Sequence, residues 1–135
     1  MIYLLDTNTC VEQLRGRANS ALMNRLSSTK PSDLVLCSVV IAELLYGAAR
    51  STKKATNLAK VRSFCSGFTS LPFDDLAAAE YGTIRAYLDN IGQPIGPNDL
   101  MIASIARAQG LTLVSHNTAE FSHVPDLTVE DWQLP

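Results

Sequence analysis

A chain of 135 residues with 47% apolar and 18% charged side chains is the size of one domain, can build a real core and is unlike a disordered segment. It holds no run near the roughly eighteen apolar residues of a membrane span, and Met1-Ile2-Tyr3-Leu4-Leu5 meets a carboxylate with no basic region before it, which argues against a signal peptide and predicts a cytoplasmic protein. The net charge of −2 hides an asymmetry, because residues 1–67 carry nine Lys/Arg against four Asp/Glu and residues 68–135 carry two against nine.

In chain order, Ile2 to Leu5 is an apolar run ending at Asp6 and reads as a buried strand. Residues 9–15 and 19–27 are helical by pattern, with Gly16 as the stop between them. Leu34-Val35-Leu36-Cys37 reads as a second strand, and Ser38 is placed to cap a largely apolar helix from Val39 to Arg50. Residues 54–66 continue as a helix, and Thr69 to Phe73 reads as a short strand. Asp74 caps a long helix to about Asn90, closed by Gly92. Two prolines and two glycines make residues 92–97 a rigid loop before a helix from Asn98 to Gln109 that ends at Gly110. Leu111 to Val114 is a strand, residues 118–121 a helical turn, and Leu127-Thr128-Val129 an edge strand followed by Trp132, which pins the terminus. Short strands alternating with helices predict an α/β fold in a single domain, a parallel β-sheet flanked by α-helices.

Cys10, Cys37 and Cys65 stand among apolar neighbours at no metal-ligand spacing, and neither His116 nor His123 has a cysteine near it. Buried reduced thiols are expected, not a structural zinc site. Arg50, Lys53, Lys54, Lys60 and Arg62 form a basic cluster, which is either a solvated helix face or a surface that holds a phosphate backbone.

Three carboxylates have surroundings unsuited to ordinary surface charge. Asp6 follows an apolar strand directly, where open α/β sheets collect their ligands, although it could equally cap the next helix. Glu43 sits within Val39-Val40-Ile41-Ala42-Glu43-Leu44-Leu45, and burying a carboxylate there is expensive unless it is paired or metal-bound. Asp99 opens a helix, where the dipole alone would favour it, but the rigid approach loop is of a kind that places a side chain in a cleft. Brought together, these acids would repel one another unless a hard cation were present, and all-oxygen ligation selects Mg²⁺ or Mn²⁺. Such a site suits phosphodiester hydrolysis.

The motifs sharpen this reading. Met1-Ile2-Tyr3-Leu4-Leu5-Asp6-Thr7-Asn8, Ala42-Glu43-Leu44-Leu45-Tyr46-Gly47, Gly96-Pro97-Asn98-Asp99-Leu100-Met101-Ile102-Ala103 and Leu113-Val114-Ser115-His116-Asn117-Thr118-Ala119-Glu120-Phe121 resemble, in order and across the whole chain, the four motifs of PIN-domain endoribonucleases of the VapC toxin family. Asp131-Trp132 is similar to a common ending of that family. The resemblance implies the PIN fold and metal-dependent RNA cleavage, with Asp6, Glu43 and Asp99 catalytic and Asp6 and Asp99 holding Mg²⁺ or Mn²⁺. It also implies a supporting role for Asn8, which would orient the first aspartate, and for Asn117 and Glu120. Asn117 stands where many members have a fourth Asp, and Glu120 lies one helical turn on. The implied partners are a VapB antitoxin that blocks the cleft, a structured tRNA substrate with the initiator tRNA anticodon loop as a candidate, operator DNA only through the antitoxin, and a second copy of the chain in a homodimer.

Rival chemistries fit less well. A haloacid-dehalogenase phosphatase wants an acid two residues after its nucleophile, where Asn8 stands, and a late lysine, while no lysine follows Lys60. A receiver domain lacks the same lysine. A module that only binds RNA or protein has no use for clustered acids.

Overall fold

The computed structural model describes residues 1–16 and 20–135. Its strands are β1 (Tyr3–Leu5), β2 (Leu34–Cys37), β3 (Thr69–Leu71), β4 (Thr112–Val114) and β5 (Thr128–Glu130). The helices are α1 (Thr7–Leu14), α2 (Ser20–Ser28), α3 (Ser38–Ala49), α4 (Lys54–Ser66), α5 (Asp75–Asn90), α6 (Pro97–Gln109) and α7 (Thr118–Phe121), with a 3-10 turn at Pro31–Asp33. The five strands form one sheet in the order β3-β2-β1-β4-β5, and every pairing is parallel.

Burial explains the parallel sheet. Leu4 and Leu5 are both buried, as are all residues of β2 and β4. Strands apolar on both faces must be covered on both, which is the condition of a helix-flanked parallel sheet. The order of strands also fixes where chemistry can sit. The chain runs outward from β1 through β2 to β3, then returns to the other side of β1 to place β4 and β5. The reversal lies between β1 and β4, and the crevice beyond their carboxyl ends is the usual ligand position in open α/β sheets.

Several element ends differ from the sequence reading, each for a local reason. Helix α1 begins at Thr7, two residues early, because Asp6 accepts a hydrogen bond from Thr9 N at 2.9 Å and caps it. Ser38 is not the cap of α3. Cys37 takes that position without a side-chain hydrogen bond, and the Ser38 hydroxyl instead donates to Leu71 O at 3.2 Å, tying α3 to the end of β3. Strand β3 stops at Leu71 because Pro72 brings no N–H to the ladder. Helix α6 begins one residue early at Pro97, whose fixed φ suits a first helical turn. The second helix begins at Ser20, and residue 19 of its expected span lies outside the described residues. Asp74 caps α5 as expected, accepting from Ala77 N at 3.0 Å.

Gly110 ends α6 at φ +65°, and this left-handed residue lets Leu111 N reach back to Ala106 O at 2.8 Å. The chain is thereby turned straight into β4. At the opposite edge, β5 presents Glu130 and leads to Trp132, which is buried with its ring edge-on to Tyr3 of β1 at 4.9 Å. The three cysteines are unpaired, with Cys10 and Cys37 buried and Cys65 half-buried, and burial pushes all three thiols up. No helix among the described residues is long and apolar enough to cross a membrane.

Candidate active site

Asp6 leaves β1 at the reversal point and is only 5% exposed. Its backbone N–H still belongs to the sheet, donating to Val114 O at 3.1 Å, so the carboxylate is fixed to the rigid core. Oδ1 accepts from Thr9 N, and the buried Ser115 hydroxyl at the end of β4 lies near enough to the same carboxylate to favour its charged form. Ser115 Oγ accepts in turn from Asn117 N at 3.0 Å. Burial raises the Asp6 pKa most strongly and the Glu43 charge adds to it, while the bonds from Ser115 and Thr9 oppose the rise. A capping role and a site role are therefore compatible, since the cap occupies one oxygen.

Glu43 lies in the middle of α3, whose apolar stripe Val40, Leu44 and Ala48 is buried in the core. The Glu43 side chain is half-buried, and its Oε1 accepts from Thr7 Oγ1 at 2.6 Å. That bond joins the first residue of α1 to α3. Asp99, the third residue of α6, is half-buried, and its carboxyl is pushed up to about 6. Burial is the largest cause, followed by the charges of Glu120, Glu43 and Asp6. Glu120 on α7 is clamped by Gly96 N, which donates to its Oε1 at 3.3 Å, and by the Asn117 side-chain amide, which donates to Oε2.

The fold thus brings Asp6, Glu43 and Glu120, from three other segments, within range of the charge on Asp99, and Glu43 within range of Asp6. Asn117 is present as the clamp on Glu120. Asn8 is exposed and lines a separate recess with Glu12, His116, Asn117 and Gln133, while Asp6 is hydrogen-bonded by Thr9 and has the Ser115 hydroxyl beside it. Sequence reading missed Thr7, Thr9 and Ser115. A signal for Ser115 existed in principle, because β1 and β4 pair with Leu5 level with Val114, so the residues following them stand side by side.

A recess of about 610 Å³ opens beside Glu43, lined also by Thr7, Ser38, Tyr46, Asn98 and Met101 among others. Thr7, Ser38 and Asn98 belong to the first turns of α1, α3 and α6. First turns of three helices thus border this space, and the partial positive charge of helix N-termini favours a phosphate group nearby. On the far side of Glu43 a groove of about 400 Å³ runs between α1, α3 and α4, with Leu14, Leu44 and Val61 as apolar walls and Arg15 and Lys60 at its edges.

The donor set suits a hard divalent cation. Among the described residues no lysine or arginine forms an ion pair with any of the four acids, and the repulsion is expressed in the raised Asp99 carboxyl. Among the same residues no three acidic, histidine or cysteine side chains close into a ready-made metal cage. A Mg²⁺ ion bound there would rest on one or two carboxylates, with water completing its shell.

Residues 3–127 match the family described as the PIN domain. The chain is 39% identical to "Ribonuclease VapC2" of Rickettsia felis, over 98% of each chain. It is 38% identical to "tRNA(fMet)-specific endonuclease VapC" of Shigella flexneri, over 96% of this chain and 97% of that one. The chain belongs to the PIN-domain family, among its VapC ribonucleases. The VapC fold agrees as well: the toxin–antitoxin complex VapBC of Salmonella typhimurium, crystallised bound to DNA, superposes with a TM-score of 0.91 at 37% identity, covering 98% of both chains. PIN-domain nucleases depend in general on divalent metal.

Proposed function

We propose that this protein is the toxin of a toxin–antitoxin pair, an endoribonuclease of the cytoplasm that cuts structured tRNA with Mg²⁺ or Mn²⁺ and so stops translation. The observation that carries the reading is the convergence of Asp6, Glu43, Asp99 and Glu120 at the sheet's reversal point, with Asp99 pushed up to about 6 by burial and by the other three charges. The tRNA substrate is supported by the relatives named for initiator tRNA cleavage in Shigella flexneri and Salmonella typhimurium.

Asp6 and Asp99 would hold the cation, which when bound neutralises the acids and polarises the scissile phosphate. Asp6 is the fixed member, oriented by Thr9 and Ser115. Glu43, with Oε1 held by the Thr7 hydroxyl, leaves its second oxygen to take the proton of the attacking water. The helix N-termini around the recess bind and orient the phosphate. Glu120, tethered at both oxygens, sets the charge around Asp99 and supports the site without contacting the reacting atoms.

A VapB-type antitoxin is the partner, in line with the VapBC complexes of similar fold, and contact with operator DNA runs through it. The apolar groove that ends at Glu43 offers a peptide a route to block the cleft. A homodimer and a single-domain organisation complete the reading.

The test is direct. Purified protein should cleave tRNA with Mg²⁺ or Mn²⁺, need no zinc, and stop in EDTA. Undiminished cleavage in EDTA would end the metal mechanism, and intact growth of cells holding abundant soluble protein without antitoxin would end the toxin reading.

Asn117 offers a finer check. In Asn117→Asp the amide that clamps Glu120 becomes a further negative charge, so the metal-free protein should melt lower while Mn²⁺ binds tighter. Glu120→Gln should lower activity less than Asp99→Asn does. Calorimetric titration showing the parent's Mn²⁺ affinity in Asn117→Asp would mean that position 117 does not face the cation.

A further inference from the structure

Helix α3 carries Glu43 and Tyr46, and Arg50 caps its C-terminal end, at positions that share one face, since residues three, four and seven apart stack along a helix. Tyr46 is 65% exposed although it is a large aromatic next to a mostly buried stripe. It lines the 610 Å³ recess together with Glu43, Thr7 and Asn98. The Arg50 guanidinium lies 5.6 Å from its ring centroid. No acidic residue occurs between Glu43 and Asp74, a stretch that contains Arg50, Lys53, Lys54, Lys60 and Arg62. An open π face one turn from a site acid, with a cation over it and a basic run beyond, is complementary to a polyanion with exposed bases. Single-stranded RNA is recognised by such surfaces, through bases stacked on aromatic rings and phosphates held by Arg and Lys.

We propose that Tyr46 is the platform on which an unpaired base flanking the scissile phosphodiester stacks, and that Arg50 holds the adjoining phosphate. The inference rests on the ribonuclease reading above and adds the path that the RNA takes, from the acids along α3 toward Lys53 and Lys54. Because every base has a π face, this contact selects an unpaired, extended strand over a duplex without choosing the sequence.

The experiment measures anisotropy of a fluorescein-labelled single-stranded RNA heptamer on the full chain carrying Asp99→Asn, alone and with each further change, beside cleavage by the corresponding single variants. Tyr46→Ala should weaken binding about tenfold or more, whereas Tyr46→Phe should stay within about threefold because the ring survives. Tyr46→Leu, which keeps apolar bulk without a π face, should behave as Ala does. Arg50→Ala should reduce the salt dependence of binding by about one counterion. Tyr46→Ala or Tyr46→Leu binding as tightly as the parent, with an unchanged melting temperature, overturns the platform. So does a Tyr46→Ala variant that loses affinity for the antitoxin but not for RNA, which would make the ring a protein contact. If the unsubstituted protein cuts no RNA in Mg²⁺ or Mn²⁺, the ribonuclease reading itself fails, an outcome distinct from either result at Tyr46.

Discussion

Asp6→Asn and Asp99→Asn should each abolish RNA cleavage while leaving the metal-free protein as stable as the parent or more so. Each change keeps side-chain shape and hydrogen-bonding capacity and removes one charge. Asn caps a helix about as well as Asp, so in Asp6→Asn the bond from Thr9 N survives, and Ser115 retains a partner. In Asp99→Asn the change deletes a carboxylate that burial and three neighbouring charges disfavour. Activity has no such compensation. Losing one charged contact to a developing phosphoryl charge costs on the order of a hundredfold or more. A position that served only as a cap predicts the opposite pairing, with stability lost and cutting kept. Melting curves in EDTA beside a ribonuclease assay in Mn²⁺ separate the two, and an Asp99→Asn protein that melts lower yet still cuts RNA would refute the assignment.

The same substitution has a pH signature. The Asp99 carboxyl sits at about 6 in the folded chain against about 3.9 when unfolded. Between these values the folded state holds a proton that the unfolded state releases. The contribution to stability is therefore fully present below about pH 4 and is lost as pH rises through about 6. The advantage of Asp99→Asn over the parent in EDTA should grow from pH 4.5 to pH 7, by on the order of 1–2 kcal/mol once solvent screening at this half-open site is allowed for. With Mn²⁺ bound the parent should regain the difference, because the cation stabilises the charged form.

Much of this was legible along the chain because charge in apolar company is conspicuous. Asp6 after Ile2–Leu5 and Glu43 among Val39–Leu45 stood out for that reason, and the period of each run gave strand or helix. What escaped was set by distant partners. Thr7 and Ser115 are ordinary polar residues until the sheet places β1 beside β4 and α1 beside α3, when one hydroxyl meets Glu43 and the other Asp6. Ser38 illustrates the reverse case. Its sequence position suits a cap, but the end of β3 offers Leu71 O, and the hydroxyl goes there. A tyrosine in an apolar helix has the pattern of a core residue, and only packing reveals that the Tyr46 ring faces water.

Trp132→Ala should strongly destabilise the fold, by about 3–5 kcal/mol. Trp132 is 2% exposed, its ring meets Tyr3 edge-on, and its Nε1 donates to Glu130 Oε1 at 2.9 Å. Arg25 from α2 lies over the ring face at 4.6 Å and also pairs with Glu130 at 2.9 Å. Truncation leaves a large cavity beside β1, and the neighbours that line it belong to the sheet, which collapses poorly. The ion pair is a much smaller part of this cluster, because Arg25 is nearly half exposed and exposed pairs contribute about 0–1 kcal/mol. Glu130→Gln, which keeps an acceptor for the indole N–H, should therefore cost under about 1 kcal/mol. Trp132→Phe should fall between the two, because it fills part of the space and removes the N–H. Urea unfolding followed by far-UV circular dichroism ranks the three, since Trp132 is the single tryptophan and its fluorescence is lost with it. If Glu130→Gln costs as much as Trp132→Ala, the terminus is held by charge and not by packing. If both are near neutral, the C-terminal segment does not brace β1, and the rigidity of Asp6 must come from β4 and Ser115 alone.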